Sequence, residues 1–431
     1  MAEHNIMREH RFPEGGSSLD PHLLGGSPAV RWQWLRRLLG AQFAADTATY
    51  AIVFAAVAVV EEMTSSTMRV AWTILSSTLP GLLFGLVAGV VVDRRDRVMV
   101  LVMANALRIA AAGCFVLAVQ DVTHPLVLAG IYLSCFALSA LAQFISPAQA
   151  AIAPRLAGDE TTLVRLNSLS SLFALGSQGL GVVVLTPLLL SVSGPAAVGM
   201  AGVVLYAVAT IIASRLPHRS FSFSPSGRSL SAVWSDLREG WHFIAHNRAV
   251  TLATICSVAV SATAILLSAL APGLASRVLG VRVSSIAYMA VPAGVGFGVG
   301  LVLLNRRKQR WSQITWVSAG LICFGLSLSC FPFMHQWGWR VIPLLLMGGM
   351  GLGLGLALVL VPTRTILQEH PPADMRGRVL ATQSTLTNLA NTLPLPIAGG
   401  LADLIGITNV MFLLAFLLMG MGVASAVHSR A

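Results

Sequence analysis

The stretch "GVVVDRRDRV", residues 89–98, places five consecutive charged residues directly after a long apolar run. Only 10% of the 431 residues are charged, 55% are hydrophobic, and the mean hydropathy is +0.77. Because soluble globular domains carry about 25% charged residues, most of this chain is not adapted to water. The charged stretch therefore indicates a short loop between two membrane-spanning helices.

The apolar runs predict how often the chain crosses the membrane. A helix needs about 20 mostly apolar residues to span a bilayer. The sequence predicts an all-α integral membrane protein with 12 transmembrane helices in two six-helix halves. The predicted spans are residues 38–60, 68–92, 98–119, 124–147, 168–190, 194–215, 249–271, 284–304, 311–331, 340–362, 379–402 and 408–427.

The arginines predict the orientation, because basic residues are enriched in cytoplasmic loops. With the N-terminus in the cytoplasm, four of the 28 basic residues fall in external loops: Arg69, Arg277, Arg282 and Arg340. Arg108 falls within a span, and all the others lie on the cytoplasmic side. We therefore expect a multi-pass protein of the bacterial plasma (inner) membrane with both termini in the cytoplasm.

The polar segments divide the chain into domains. Residues 1–30, rich in Gly, Ser, Pro and His, are typical of a disordered cytoplasmic tail. Six-helix bundles over 31–215 and 249–427 flank a cytoplasmic linker, 216–248, and residues 428–431 form a cytoplasmic end. The linker is predicted to contain an amphipathic helix at the membrane surface. One face of that helix would carry Val233, Trp234, Leu237, Trp241 and Ile244.

Similar segments follow the fourth and tenth predicted spans. "SPAQAAIAPRLAGDETTLVRLNSL" contains Pro147, and "VPTRTILQEHPPADMRGRVLATQSTL" contains Pro362. Two six-helix repeats are typical of secondary transporters, whose substrate site lies between the repeats near the bilayer midplane.

Composition and motifs argue against several other functions. The only lysine, Lys308, follows Arg307, so the chain has no Gly-Lys-[Ser/Thr] ATP-binding loop. Basic residues are scattered through loops, which argues against nucleic-acid binding despite a net charge of +11. The five cysteines lack metal-site spacing, and no HExxH motif occurs. We expect no metal, no cofactor and no enzymatic activity; the expected partners of a monomeric chain are a small-molecule substrate, protons and membrane lipid.

The charged stretch resembles the signature loop of the major facilitator superfamily, Gly-x-x-x-Asp-Arg-x-Gly-Arg-[Lys/Arg]. Four residues match this pattern: Gly89, Asp93, Arg94 and Arg97. Asp96 replaces the second glycine, and Val98 replaces the final basic residue. With an acidic residue in place of that glycine, the loop resembles that of the branch that contains macrolide-efflux and enterobactin-exporter proteins.

Three further stretches resemble this branch: "FISPAQAAIAPRLAG", "PPADMRGRVLA" and "DLREGWHFI". The resemblance covers about residues 31–427. It implies a secondary active transporter that exports amphipathic small molecules of drug, macrolide or siderophore type. Proton antiport and rocker-switch alternating access are also implied, with a cavity built from spans 1, 4, 5, 7, 10 and 11. The span-five stretch "LGSQGLGVVVLTP" departs from drug/proton antiporters, because it lacks the proline of their Gly-Pro-x-x-Gly-Gly-like pattern.

The signature loop predicts a gating contact. Asp93 lies at the C-terminus of the second span, where the helix dipole disfavours a carboxylate. Arg97 would compensate this charge if helical geometry continues. The resemblance implies another partner, the N-terminus of the eleventh span, in a contact that forms when the cytoplasmic side closes; the residues concerned are Arg376, Gly377 and Arg378. A simpler interpretation, that the charges only fix topology, explains Arg94 and Arg95.

Ionisable residues inside spans are costly and therefore candidates for function. Asp46 lies in the first span, with Gln42 and Tyr50 four residues to either side on the same helical face. Burial favours the protonated form of a carboxyl, which suits a proton carrier. A structural bond to a neighbouring helix is the alternative. Arg108, near Asn105 in the third span, would bind an anionic substrate group, pair with Asp46, or serve the structure of the first half.

Uncharged polar residues in the spans either line a cavity or hold helices together. The predicted substrate-cavity residues are Gln42, Tyr50, Gln143, Gln383, Thr387 and Asn391. We expect Glu61, Glu62 and Asp403 to lie at external helix ends in water. Glycines spaced by four predict close helix contacts: Gly81, Gly85 and Gly89, Gly294 with Gly298, and Gly351 with Gly355.

Other functions stay open at this point. A lipid flippase or a nutrient importer would share the same fold. A permease subunit paired with a separate ATPase is disfavoured by the signature loop. A scaffold or sensor that transports nothing is weakly disfavoured by the carboxyl of Asp46 inside a span.

Overall fold

The computed structural model describes residues 28–121, 123–157, 160–217, 230–283, 290–307, 312–333, 341–372 and 374–428. All regular secondary structure in these ranges is helical, as the composition predicts. Most of the predicted N-terminal tail, part of the predicted linker and the last three residues lie outside the described residues. The helices are α1 (Pro28–Thr64), α2 (Thr67–Asp93), α3 (Arg97–Gln120), α4 (Val127–Ala157), α5 (Glu160–Gly179), α6 (Thr186–Ser214), α7 (Leu230–His246), α8 (Arg248–Gly273), α9 (Ala290–Arg307), α10 (Gln313–Phe333), α11 (Val341–Glu369), α12 (Arg376–Thr392), α13 (Leu395–Ile405) and α14 (Ile407–His428).

Two π-helical turns extend this framework. Leu180–Leu185 connects α5 to α6, and Leu274–Val278 continues α8. A π turn adds one residue to a helical turn and is frequent at functional sites. The second turn carries two residues of the contact between the halves described below.

Eight helical stretches of the described chain are long and apolar enough to cross a membrane. They are Trp32–Thr64, Arg97–Gln120, Val127–Ala153, Arg165–Ser214, Arg248–Val278, Gln313–Phe331, Pro343–Glu369 and Ile407–Val427. Three further predicted spans correspond to α2, α9 and the pair α12–α13. The fifth and sixth predicted spans share one stretch, Arg165–Ser214. The multi-pass all-α fold is confirmed, and the count of twelve spans stays a prediction.

A kink divides that 50-residue stretch. Gly194 has φ 77° and ψ −175°, a backbone conformation that is disfavoured for any residue with a Cβ atom. Pro195 follows and has no backbone N–H to continue the helical ladder. The break falls at the first residues of the predicted sixth span, close to its boundary with the predicted fifth span.

Each half is built around its own apolar core. The first half packs α3 against α4 and α6, and α1 against α6. The second half packs α10 against α11 and α14, and α9 against α11. Fully buried side chains of the first core include Ile52, Phe115, Leu138 and Tyr206, and those of the second include Leu321, Leu328, Met411 and Leu418.

Glycines bring helices together, but at only some of the expected positions. Gly351 and Gly355 lie against α10, where an added Cβ at Gly355 would come within 2.7 Å of a backbone nitrogen, so their prediction is confirmed. The prediction is wrong for Gly294 and Gly298, since no atom lies within 4 Å of an added Cβ. Gly296 faces the α11 backbone instead. The alternating glycines of α9 lie on several faces of the helix. Which of them makes a close contact depends on where α11 packs, and the spacing of the glycines does not show that.

The linker helix α7 packs against α12 and α8. Gly240 permits this approach, because an added Cβ would lie 2.6 Å from the Arg378 carbonyl oxygen. Ile244 is buried, as expected for the apolar face. Trp234 and Trp241, predicted on the same face, are 71% and 53% exposed.

The helices end at two opposed faces of the molecule. The linker face is the end that carries α7 and residues 94–96 between α2 and α3. The opposite face is the end that carries Glu61 near the end of α1 and Arg277 in the π turn after α8.

Candidate functional site

A cavity of about 520 Å³ lies between the two halves. We call it the central cavity; α1, α2 and α5 line it from the first half, and α8, α9, α10 and α11 from the second. Its described lining contains no Asp, Glu, Lys or Arg, and its polar members are Tyr50, Ser77, Thr78, Gln178 and Ser268. Tyr50, a predicted cavity residue, is 37% exposed there. A cavity of this size and lining suits a largely apolar small molecule.

A second cavity of about 740 Å³, the linker-side cavity, separates the halves beside α7. Gly81 and Gly85 of α2 and Gln143 of α4 form one wall. The other wall comes from α7 and α12, including Gly377 and Arg378. Gln143, predicted to face a cavity, lies here. The two halves are thus apart at the start of α12.

The polar residues of α12 lie on two faces. Gln383 Nε2 is 3.2 Å from Thr387 Oγ1 and 3.4 Å from Ser257 Oγ of α8, so these side chains face the interior of the second half. Asn391 Oδ1 is buried and has no hydrogen-bond partner among the described residues. A substrate role for these three predicted residues stays a prediction. The stripe that lines the linker-side cavity is the adjacent one: Ala381, Ser384, Thr385 and Asn388.

Asp46 and Gln42 lie at a crevice inside the first half, between α1, α3, α4 and α6. Asn105 and Gln149 are the other polar residues of its lining. The Asp46 carboxyl is half-buried and interacts electrostatically with Arg108 and Gln42. Among the ion pairs of the described residues, none joins Asp46 directly to Arg108.

Arg108 is a buried connector of the first half. Its side chain is 2% exposed, and its Nε donates to the Leu138 carbonyl at 3.1 Å. The guanidinium carbon lies 5.5 Å from the centre of the Tyr206 ring, and the Tyr206 hydroxyl is 2.8 Å from Thr49 Oγ1. These contacts join α3 to α4, α6 and α1. Arg108 lines neither cavity, and its predicted site role stays a prediction.

On the opposite face, Arg277 joins the two halves. Its Nε lies 3.1 Å from Glu61 Oε1, and its Nη1 lies 3.5 Å from Asp403 Oδ1. Its Nη2 donates to Thr67 Oγ1 at 2.5 Å. Ser276 Oγ donates to Glu61 Oε1 at 2.7 Å. We call these five residues the Arg277 cluster.

The expectation that Glu61 lies in water is wrong. Glu61 is 1% exposed, because the π turn after α8 covers its carboxylate. Asp403 caps the start of α2: it accepts hydrogen bonds from the N–H groups of Thr67 and Met68 at 2.8 and 3.0 Å and from the Ser66 hydroxyl at 2.7 Å. A carboxylate is favoured at a helix N-terminus. Because α13 and α8 belong to the other half, these contacts close the opposite face.

The signature loop is a turn between α2 and α3. Asp96 caps α3, since its Oδ1 accepts hydrogen bonds from the N–H groups two and three residues on, at 2.8 and 3.1 Å. This cap gives the acidic residue a structural role at the position of the family's glycine. Arg97 is 7% exposed, Arg94 is exposed, and Gly89 has open space beside it. Asp93 is the last residue of α2, and its side chain lies outside the described residues.

The start of α12 is held by α7. Arg378 Nε lies 2.9 Å from Asp236 Oδ1, and its Nη1 contacts the Glu239 carboxylate. Arg376 donates to a backbone carbonyl of the preceding turn at 3.3 Å. An added Cβ at Gly377 would meet no atom within 4 Å. The first turn of α12 therefore has space beside it on the cavity side.

The part of the chain that the structure describes contains no candidate metal-binding site. No group of three or more His, Cys, Asp or Glu side chains is placed there to hold a metal ion. The five cysteines are all free, and Cys135 and Cys256 are buried. The candidate sites in the described chain are the central cavity and the linker-side cavity.

Comparison with known families and relatives gives a consistent result. The Major Facilitator Superfamily model matches residues 38–394. An uncharacterized MFS-type transporter of Bacillus subtilis (strain 168), YfiS, is 25% identical over 136 residues. That alignment covers 31% of this chain and 33% of the relative, so the chain aligns with about a third of the length of that curated relative.

Solved structures of transporters share the fold. A POT family transporter in complex with 5-aminolevulinic acid superposes with a TM-score of 0.71 at 13% identity, over 92% of this chain and 96% of the other. The nucleoside transporter NupG gives 0.70 at 14% identity, over 93% and 99%. A bacterial homolog of the human lysosomal transporter Spinster, inward-facing and unoccupied, gives 0.69 at 14% identity, over 94% and 98%. At such identities the likeness shows the fold alone.

These comparisons agree with the apolar helices, the cavities between the two halves and the signature loop. The superfamily model spans most of the chain, and the solved structures match nearly all of it. The protein is a multi-pass membrane transporter rather than an enzyme, and it belongs to the Major Facilitator Superfamily.

Proposed function

We propose that this transporter is a secondary active exporter of amphipathic small molecules. The observation that supports the substrate class is the central cavity, about 520 Å³ with no Asp, Glu, Lys or Arg in its described lining. A substrate with several charges would lose its hydration there without gaining a partner, which is costly. A lipophilic drug or a macrolide therefore fits this cavity better than a highly charged siderophore.

Direction and location follow from orientation in this proposal. Basic residues concentrate at the linker face, which makes it the cytoplasmic side of a bacterial plasma membrane, with both termini inside. The transporter then opens toward the cytoplasm through the linker-side cavity, while the Arg277 cluster closes the outer side. Substrate enters from the cytoplasm and leaves after the cluster has opened. The resemblance of the signature loop to the macrolide-efflux branch supports export, and one chain supplies both halves, so a monomer suffices.

Closure of the linker face gives the signature loop its role. We propose that Asp93 then caps the N-terminus of α12 beside Gly377, with Arg97 orienting its carboxylate. The space beside Gly377 leaves room for this approach. Asp403 already shows the equivalent contact on the opposite face, where it caps α2. Two carboxylates of this kind would stabilise the two access states in turn.

Protons supply the driving force in this proposal, through Asp46. The half-buried carboxyl shares a helical face with Tyr50, which lines the central cavity, and it also borders the crevice of the first half. Gain or loss of a proton changes its interaction with Arg108. Such a change in a low-dielectric region alters how α1 interacts with α3.

A susceptibility panel in an efflux-deficient bacterial host tests the substrate class. We expect protection against lipophilic amphipathic drugs, including macrolides, and none against a catechol siderophore. Ser268→Trp fills the central cavity and should remove the protection, whereas Ser214→Trp, at the exposed end of α6, should retain it. Protection against the siderophore alone, or increased accumulation of the drugs, would contradict export of apolar compounds.

The Asp46→Asn variant tests proton coupling. An amide neither binds nor releases a proton, so uptake of a panel substrate into inverted membrane vesicles should no longer respond to a pH gradient. Binding of that substrate to the purified variant should persist. Asp121→Asn, at an exposed turn after α3, is the control and should transport normally. Undiminished gradient-driven uptake by Asp46→Asn would refute the coupling role.

The Arg277→Ala variant tests closure of the opposite face. Breaking a buried ion pair costs about 3–5 kcal/mol, and partial exposure of Arg277 reduces this to roughly 1–3 kcal/mol, or about 5- to 150-fold in an equilibrium. With Ser268→Cys as the single reporter in a cysteine-free chain, an impermeant maleimide should label the central cavity faster from the opposite face. Arg282→Ala is the matched control. Equal labelling rates in all three backgrounds would refute the gate.

The Asp93→Asn variant tests the signature loop. If Asp93 caps α12 in one access state, the loss of roughly 0.3–2 kcal/mol shifts the equilibrium about 2- to 30-fold toward the form open at the linker face. Folding should be unchanged and transport poor, and Arg97→Ala should shift the equilibrium the same way. A cysteine at Ser384, labelled from the linker face, reports the shift. Labelling identical to that of the parent would leave only a topological role for Asp93.

A further inference from the structure

The crevice of the first half holds a polar group whose hydrogen bonding is incomplete. Asn105 is 3% exposed, and its Oδ1 is buried with no hydrogen-bond partner among the described residues. A buried amide oxygen without a hydrogen-bond donor is destabilising, because it has lost its hydration and gained no replacement. Such groups in stable proteins usually have a bound water as their partner.

The dimensions of the crevice fit one water molecule. Its free volume is about 10 Å³, close to the smallest space that accommodates a single water. The polar atoms that a water needs are present, since Gln42, Asp46, Asn105 and Gln149 all line the crevice. The remaining lining is aliphatic, so these four residues are the hydrogen-bonding groups that the crevice offers.

The crevice lies between Asp46 and the linker face, within the first half. Leu38 and Leu216 belong to its lining. They adjoin Arg37 and Arg215, which are joined by an exposed hydrogen bond of 3.1 Å at the linker face. No residue of the crevice lining belongs to the central or the linker-side cavity. A proton route from the linker face to Asp46 through this crevice would avoid both cavities, and it would pass the buried side chains of Leu38 and Leu216.

We propose that the crevice binds a water molecule between Asn105 and Asp46, and that protons exchange between Asp46 and the linker face through this water rather than through the substrate cavities. The water donates to Asn105 Oδ1 and receives a proton from solvent at the linker face. It then passes one of its protons to the Asp46 carboxylate and is neutral again. Deprotonation of Asp46 reverses these transfers. The meaning of this route for transport rests on the proposed coupling at Asp46.

The exchange of the Asp46 proton for deuterium tests the route without a substrate. The full-length protein in lipid nanodiscs is transferred from H₂O to D₂O, and the shift of the carboxyl C=O infrared band is followed in time. The band is assigned by its loss in Asp46→Asn. Asn105→Leu keeps the number and branching of the side-chain heavy atoms but removes both polar groups, so it cannot bind the water and should slow the exchange about tenfold, the scale of one lost buried hydrogen-bond partner. Asn105→Ser, which restores polarity and space, should exchange at the parental rate.

Two further variants keep the test decisive. Gln149→Leu, on α4, should also slow the exchange and serves if Asn105→Leu folds poorly. Ser268→Trp fills the central cavity and should leave the rate unchanged. Parental rates in both leucine variants, or a slowed rate in Ser268→Trp, would overturn the proposed route. These outcomes are independent of Asp46→Asn transport, because they report how the proton reaches Asp46 and not what it drives.

Discussion

The burial of Glu61 is the constraint on which the described arrangement depends. A carboxylate that is 1% exposed is tolerated only with a matching charge and hydrogen bonds. Here both come from the other half of the molecule, through Arg277 and Ser276. The halves cannot separate on this face without leaving that carboxylate unpaired, unless water enters as they do so. Opening the opposite face would therefore break these polar contacts together with the packing of α13 against α2, where Gly399 lies against Ala71.

Helix α2 connects this constraint to the other end of the molecule. Its N-terminus is capped by Asp403 of α13, and its C-terminal residue is Asp93. A cap on the N-terminus agrees with the helix dipole, whereas a carboxylate at the C-terminus opposes it. Asp93 thus has more to gain than Asp403 from an external partner. The two ends of α2 lie at opposite faces of the molecule. In the proposed cycle, formation of the Asp93 contact at the linker face would accompany loss of the Asp403 contact at the opposite face.

Hydropathy predicted the multi-pass fold because a bilayer leaves a spanning segment little choice of composition. The break at Gly194 also falls where the spans were separated, since glycine followed by proline interrupts a helix. The Arg277 cluster escaped prediction. Glu61 and Arg277 are 216 residues apart and Thr67 and Asp403 336, so only the assembled halves reveal that these end-of-helix charges meet. The available signal was that Glu61, Arg277 and Asp403 are among the few charged residues predicted at the external ends of the spans.

Helical periodicity identified polar faces but not their neighbours. Gln383 and Thr387 share a face, as spacing requires, yet that face meets α8, and the adjacent stripe with Ser384 borders the cavity. Successive residues of a helix are rotated by roughly 100°, so the two faces are adjacent. Periodicity shows which residues share a face, but it does not show which face is turned toward the other half. Asp46 and Tyr50 illustrate the same limit, because one shared face borders both a crevice and the central cavity.

The separation of charge from the central cavity has a consequence for coupling. The described lining of the central cavity contains no Asp, Glu, Lys or Arg for which a proton and a substrate would compete directly. The proposed coupling at Asp46 would therefore act through a helix that contacts both regions. α1 meets this requirement: it carries Asp46 beside the crevice, Tyr50 in the central cavity and Glu61 in the Arg277 cluster. In the coupling proposed here, a proton at Asp46 would change the electrostatic interaction of α1 with Arg108 on α3, and α1 would carry that change to the substrate and to the contact that closes the opposite face.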